Sequence, residues 1–480
     1  MKFVLAQIAP ELGEIDKNLK KILEIIQNAK KNNVDLVIFP QHSLYGAKPL
    51  SLISFQSFRD KVNDALSVIK SETRDIAVII GGYSGDFLFE DNIILFENCN
   101  QQNKNNCLDF SLKNESFSAI IGKKHPNLDK ISIDITAKHF CYDALNDESG
   151  ANILRTNLAG VSENLVFEGA SFIKINNKKV LQAKSFREDI LAYDTASPCN
   201  YSIKKISMEE KIILAIKLAL KNYCEKLGFN KVVLGLSGGI DSAISAYFAT
   251  EVLGAQNVVG ITMPSEFSSK GSVSDSEKLA ENLGIKIENI SIAPLVESYK
   301  RTLGDVISGI AQENIQARIR GDILMSYSNR YGHLLLSTGN KSESAVGYCT
   351  LYGDMCGGLN LISDLPKTLV WQVARYINKE KEIIPWAIIN KAPSAELRHN
   401  QKDQDSLPDY EVLDDIINDF IKEKKSVSTI EKKYSKELVQ DVFKKIKNAE
   451  YKRYQATLGV VLSCEPFELN ALPITQKFSF

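Results

Sequence analysis

VVLGLSGGIDS, residues 232–242, is the stretch on which the reading of the whole chain turns. A run of β-branched and aliphatic residues, Val232 to Leu236, ends at Ser237-Gly238-Gly239, and Asp241 and Ser242 then open an alanine-rich segment. This order predicts a buried strand, a tight glycine turn and the start of a helix. Two glycines let a backbone approach a ligand closely, and the free N–H groups of a helix start attract phosphate. Asp241 would repel a bare phosphate, so its place in the turn points to Mg²⁺ lying between the two. The plainer alternative is an ordinary strand–turn–helix corner capped by Asp241.

Working outward, a chain of 480 residues exceeds what one core usually serves, which predicts two domains or more. With 44% hydrophobic and 24% charged residues the composition is that of an ordinary soluble globular protein. Lys and Arg number 58 against 59 Asp and Glu, and the net charge of −1 gives no electrostatic case for a nucleic-acid or membrane partner. Aromatic residues do not interleave with a basic stripe, which also argues against nucleic acid. The eight cysteines (Cys99, Cys107, Cys141, Cys199, Cys224, Cys349, Cys356 and Cys464) form no CxxC pair. Their spacing suggests neither a zinc site nor a thioredoxin-like centre, and fits reduced thiols in the cytoplasm. Nor do the five histidines show an HxxxH spacing. Glu11 and Glu14 come too early for a signal peptide, and no apolar run is long enough to span a bilayer.

Beyond the opening stretch, helices are expected from Ser207 (with Glu210 as a capping box) to Gly228, over 243–253, after Ser274 (paired with Glu277) and over 312–331. Strands are expected at 258–263, 290–294 and 334–337. Four strands alternating with helices make a doubly wound parallel sheet, in which ligands sit at the carboxyl ends of strands. The glycine loop and Thr338 both fall there.

SGGIDS marks the wide group of ATP pyrophosphatases. Further stretches narrow it: ENIQARIRG at 313–321, STGNKSESAVGYCTLYGDMCGGLN at 337–360, DLPKTLVWQVARYIN at 364–378, PSAELRHNQKDQDSLPDYEVLD at 393–414 and EYKRYQA at 450–456. With these, residues 201–480 resemble NAD synthetases along their whole length. The resemblance implies ATP-dependent amidation of deamido-NAD⁺ through an acyl-adenylate, with release of AMP and pyrophosphate and with ATP and Mg²⁺ as cofactors. It implies ATP binding by Gly235, Leu236, Ser237, Gly238, Gly239, Ile240, Asp241, Ser242, Thr338, Lys367 and Ser394. Asp241 and Glu343 are the implied Mg²⁺ ligands, and Asp241 and Lys367 the catalytic pair. Glu343, Asn314, Tyr348, Thr350, Asp354 and Lys452 are the implied deamido-NAD⁺ set. Arg318 and, less directly, Arg320 are further candidates for the substrate's phosphates; each could instead be a surface helix arginine pairing with Glu313. Lys367 could be only a first-turn helix lysine, but a cation there opposes the helix dipole unless an anion is near. Cys349 and Cys356 read as small packing residues.

Residues 1–197 show strands and helices that alternate and then pair locally, which predicts an α/β sandwich. The polar stretch 99–115 reads as a loop. AQIAP at 6–10, GEIDKNLKKI at 13–22, DLVIFPQHSLYG at 35–46 and ENLVFEGASFI at 163–173 resemble the nitrilase-like glutaminase domain fused in front of glutamine-dependent NAD synthetases. The family's catalytic glutamate position is Gln41 here, and a neutral amide cannot take a thiol proton. Its nucleophilic cysteine position matches Gly122, and the lysine segment is shortened, with Lys104 and Lys113 nearby. Groups that act as a unit are non-additive, so these losses predict a degenerate glutaminase. Cys141 is a weak candidate for a relocated nucleophile. Ammonia from solution or another protein is then the expected nitrogen source, with glutamine as the alternative. A tRNA-modifying ATP pyrophosphatase and a non-enzymatic scaffold are more distant readings. The resemblance further implies a homo-oligomer, a dimer or higher.

Overall fold

The computed structural model describes residues 1–83, 91–96, 102–104, 107–112, 115–121, 131–144, 152–197 and 205–476. The chain divides into two compact units, one of Met1–Phe140 with Ala144–Ser207, the other of Cys141–Asp143 with Met208–Phe480.

In the first unit, strict alternation along the strands builds a sandwich. Phe3, Leu5, Leu36, Ile38, Ala77 and Ile79 face a second sheet, meeting Phe117, Ala119, Ile133, Ile135 and Leu154. Their neighbours Val4, Ala6, Val37, Phe39, Val78 and Ile80 turn the other way, against Ile15, Ile22 and Ile26 of the helix Ile15–Lys31 and Val62, Ala65 and Ile69 of Gln56–Ser71. A strand buried on both faces must be apolar at every position, which is why VDLVIF carries no polar alternation after Asp35. The first sheet has the order Asp189–Asp194, Lys2–Gln7, Leu36–Ile38, Ala77–Tyr83, Asp91–Phe96, with parallel pairs at its centre and antiparallel edges. Among the described residues the second sheet has seven strands. Two of them, Gln102–Lys104 and Cys107–Leu112, lie in the stretch expected to be a loop. They pair antiparallel with each other at the sheet edge, Cys107–Leu112 also pairing with Glu115–Ile121, and an edge strand is held by backbone bonds without an apolar sequence signature.

The second unit carries a five-stranded sheet, Lys286–Asn289, Val258–Thr262, Val232–Gly235, Leu334–Ser337, Leu359–Asn360, every pair parallel. The chain runs outward from the central Val232–Gly235 strand in one direction and then returns to its other side at Leu334–Ser337. That reversal opens a crevice at the carboxyl ends of these two strands. The strand expected at 290–294 is instead Lys286–Asn289, and Ala293 already begins a helix. Its polar KIEN sequence suits an edge, and Pro294 suits the first helical turn. Helix Lys270–Leu283 starts a turn before the expected Ser274, because Ser269 caps it by accepting from the Ser272 N–H. Among the described residues no helix is long and apolar enough to cross a membrane.

Candidate active site

The glycine turn is held by contacts that leave no room for a side chain at Gly238. Gly238 has φ +73°, and a Cβ there would stand 2.4 Å from the carbonyl oxygen of Ser272. Ser242 Oγ accepts from the Ser237 N–H at 3.3 Å and donates to the Gly239 carbonyl at 3.0 Å, closing the loop on itself. Gly239, not Asp241, is the N-cap of the helix Ile240–Leu253. Asp241 lies in the first turn, and its carboxylate is engaged elsewhere: Oδ1 accepts from Asn340 Nδ2 at 3.2 Å and Oδ2 from Lys367 Nζ at 2.5 Å. This removes the capped-corner reading.

Glu343 is delivered by a short helix, Lys341–Val346, whose Asn-Lys-Ser-Glu start forms a capping box. Asn340 Oδ1 accepts from the Glu343 N–H at 3.0 Å while Glu343 Oε2 accepts from the Asn340 N–H at 3.4 Å. The free oxygen Oε1 is 3.1 Å from Lys367 Nζ. Lys367 itself follows Pro366 at the start of the helix Lys367–Ile377, its N–H held by Ser342 Oγ at 2.8 Å. Its side chain is only 3% exposed. An ammonium at a helix N-terminus in so dry a place is tolerated because two carboxylates flank it. Burial opposes its charge, yet Asp241 and Glu343 raise it above the ordinary lysine range. Burial pushes Glu343 up to about 7, against the pull of Lys367.

Asp403, which the sequence did not single out, joins this group. It is buried, its Oδ2 accepts from the Tyr410 hydroxyl at 2.7 Å, and burial raises its carboxyl despite that bond. Its signal lay inside Gln-Lys-Asp-Gln-Asp, where nothing distinguishes Asp403 from the exposed Asp405. Lys391 and Glu396 were missed for the same reason. Glu396 accepts from the hydroxyls of Ser269 and Ser272 at 2.9 and 2.6 Å, at the start of the helix Lys270–Leu283.

These groups border one cavity of about 580 Å³. Every residue of the expected ATP set lines it, from Gly235–Ser242 through Thr338, Lys367 and Ser394. So do Asn314, Glu343, Tyr348, Thr350, Asp354 and Lys452 of the expected substrate set. Arg318 does not. On the helix Ile310–Tyr331 the lining residues Asn314, Ala317, Gly321 and Leu324 recur at helical spacing, and Arg320 falls beside them. Arg318 falls off that face and donates to the Leu351 carbonyl at 3.2 Å. Arg320 donates to the Met263 carbonyl at 3.0 Å, and burial lowers its guanidinium to about 10. At the far side, Thr350 Oγ1 donates to Asn314 Oδ1 and its N–H to Asp354 Oδ1, while Lys452 Nζ holds the carbonyls of Gly347 and Cys349. Burial raises the Cys349 and Cys356 thiols to about 12 and 11, so both stay protonated at neutral pH.

The family model for NAD synthase matches residues 212–456. The chain belongs to the NAD synthase family. Its relatives extend over the first unit as well. The glutamine-dependent NAD(+) synthetase of Synechocystis sp. is 34% identical over 99% of this chain and 98% of that protein. That of Acinetobacter baylyi is 34% identical over 97% and 96%. Among solved structures, the glutamine-dependent NAD⁺ synthetase of Acinetobacter baumannii in complex with ADP is 30% identical, with a TM-score of 0.71 and 98% of both chains covered. That of Cytophaga hutchinsonii shares the fold at a TM-score of 0.82 and 19% identity, over 99% of this chain and 98% of that one. A two-domain synthetase, nitrilase-like in its first part, is thus the family architecture for this chain.

In the first unit, Gln41 follows the strand Leu36–Ile38 and packs so tightly on Gly81 that a Cβ there would reach 2.5 Å from the Gln41 Cα. Gly122 and Lys113 lie outside the described residues, as does the side chain of Lys104. Cys141 belongs to the second unit, within which the neighbouring Tyr142 N–H donates to the Leu462 carbonyl at 2.8 Å.

Proposed function

We propose that this synthetase amidates deamido-NAD⁺ with free ammonia, spending ATP to make the acyl-adenylate and releasing AMP and pyrophosphate. The observation that carries the synthetase half of this reading is the Asp241–Lys367–Glu343 cluster at the mouth of the glycine loop. Three carboxylates (Asp241, Glu343 and Asp403) face the single ammonium of Lys367, so the ionised cluster has an excess of negative charge in a dry site. That excess, offered by hard oxygen donors, fits Mg²⁺, with Asp241 and Glu343 as its ligands. Bound there with ATP, the ion would neutralise phosphate charge and let the anionic carboxylate of the substrate approach.

The chain's own groups account for the rest. The carboxylate of deamido-NAD⁺ is a poor electrophile until adenylated. The glycine loop leaves backbone N–H groups and a helix start facing the phosphates. Lys367, fixed from three sides, presents a permanent positive charge where pyrophosphate charge grows during adenylation. Asn314, Thr350 and Asp354 form a bonded set suited to orienting the substrate's polar edge. Half-buried Arg320 keeps a cation available within the cavity, so it replaces Arg318 as the arginine assigned to a phosphate.

The ammonia assignment rests on the first unit. Gln41 occupies the position of the family's general base, and an amide there leaves a thiol without its proton acceptor. The Synechocystis alignment runs over 548 positions against 480 residues of this chain, so the relative carries segments that this chain lacks. The second reading, glutamine use, is favoured by the naming of full-length relatives as glutamine-dependent. Purified protein given deamido-NAD⁺, ATP and Mg²⁺ separates them. NAD⁺ should form with ammonium and stay at background with glutamine alone; comparable rates with both overturn the ammonia assignment, and no rate with either overturns the synthetase reading.

A further inference from the structure

We propose that Cys141, Asp143 and Cys464 form a binding site for a thiophilic divalent cation of the zinc class. All three residues belong to the second unit, and one donor atom from each lies within 4.8 Å of the other two. Tetrahedral zinc with bonds of about 2.3 Å to sulfur and about 2.1 Å to oxygen sets its donors roughly 3.6–3.8 Å apart, within reach of this arrangement. Both cysteines carry thiols rather than a disulfide. The backbone fixes the group: Tyr142 N–H donates to the Leu462 carbonyl at 2.8 Å, and Asp143 Oδ1 accepts from the Cys464 N–H at 2.9 Å. None of the three lines the nucleotide cavity.

Charge supports the assignment. Two thiolates and a carboxylate around a divalent ion leave one net negative charge. Lys422 Nζ stands 3.7 Å from Asp143 Oδ2 and supplies the balancing cation. Cys141 is buried at 8% exposed, and Asp143 and Cys464 are half-buried. Binding forms two metal–sulfur bonds and one metal–oxygen bond and releases the two thiol protons to solvent. A loaded site would pin the segment 462–464. The adjacent Ser463 Oγ accepts from Lys341 Nζ at 2.7 Å, and Lys341 opens the helix that carries Glu343. The cation is therefore a structural clamp behind the active site, separate from the Mg²⁺ at Asp241 and Glu343.

The test titrates reduced, metal-stripped full-length protein with Cd²⁺ in excess Mg²⁺. The expected result is one Cd²⁺ per chain with thiolate-to-metal ultraviolet absorption, release of about two protons and a higher Tm. Cys464→Ser should abolish the absorption, and Asp143→Asn should weaken binding at least tenfold with both thiols intact. Absence of saturable uptake, or absorption that survives Cys464→Ser, overturns the proposal. So does binding unchanged in Asp143→Asn, since a thiol pair alone would then suffice. If Cys464→Ser does not fold, alkylation of the wild-type protein decides: Zn²⁺, but not Mg²⁺, should slow labelling of Cys464 at least tenfold, and equal labelling overturns the site.

Discussion

Lys367 Nζ lies 2.5 Å from Asp241 Oδ2, joining the turn after the first strand of the sheet to a helix start 126 residues away. The same ammonium is 3.1 Å from Glu343 Oε1, so one cation separates two carboxylates that would otherwise repel at close range. Lys367→Met removes the partner and leaves two half-buried carboxylates, 16% and 18% exposed, facing each other. Breaking a fully buried pair costs about 3–5 kcal/mol, and the partial exposure here lowers that figure. Loss of a group that meets growing charge lowers kcat by about 10²–10³-fold. We expect a lower Tm and an ATP–pyrophosphate exchange rate reduced on that scale; exchange at the wild-type rate would remove Lys367 from the adenylation step.

Asn340 ties the two carboxylates together by donating to Asp241 while capping the helix of Glu343. Asn340→Ala should cost about 1 kcal/mol of cap energy. Asn340→Asp keeps a capping acceptor but replaces the donor facing Asp241 Oδ1 with a carboxylate. Asn340 is fully buried, so the aspartate variant adds a third carboxylate beside Asp241 and Glu343 and should lose more of both stability and activity than alanine. Thermal melts and steady-state rates measured together check this ordering.

Gly238 combines a left-handed backbone with a close carbonyl. Gly238→Ala must strain the turn or push it off the helix Lys270–Leu283, at a cost of about 1–3 kcal/mol. The loop N–H groups would then miss the phosphates. A KM for ATP raised about tenfold or more is expected, while Gly228→Ala, beyond a helix end with open space around it, should leave KM for ATP unchanged.

His42 has φ +60° and its Nδ1 is 3.0 Å from the Tyr45 hydroxyl, and burial lowers its imidazole to about 4. Between the ordinary value of 6.5 and about 4, the unfolded chain holds a proton that the folded chain refuses. Stability from this residue is therefore complete above pH 6.5 and is lost as pH falls toward 4. Denaturant midpoints should drop between pH 7 and 5, and His42→Gln should flatten that slope; an equal slope in the variant would assign it to other groups.

The sheet of the second unit was legible because parallel strands buried on both faces must be continuously apolar, as in Val232–Leu236 and Leu334–Leu336. Its polar edge Lys286–Asn289 was not, since an edge is chosen by the neighbour it pairs with. The same holds for the strands Gln102–Lys104 and Cys107–Leu112 of the first unit. Arg318 and Arg320 show the limit at the site: they are two residues apart on one helix, and only the packing of that helix decides which one meets the cavity.

What the sequence determined by itself is the chemistry that depends on local order: a strand, a glycine turn, a helix start with Asp241, and a capping box that delivers Glu343. Hydrogen-bond spacing within a few residues dictates those pieces. The tertiary structure alone decided what meets across distance. It set Lys367 between the carboxylates, added Asp403, and placed Cys464 beside Cys141 and Asp143, 321 residues from its hydrogen-bonded partner Asp143. No short-range spacing rule can carry such a pairing, because it is fixed by the packing of the folded chain and not by the order of neighbouring residues.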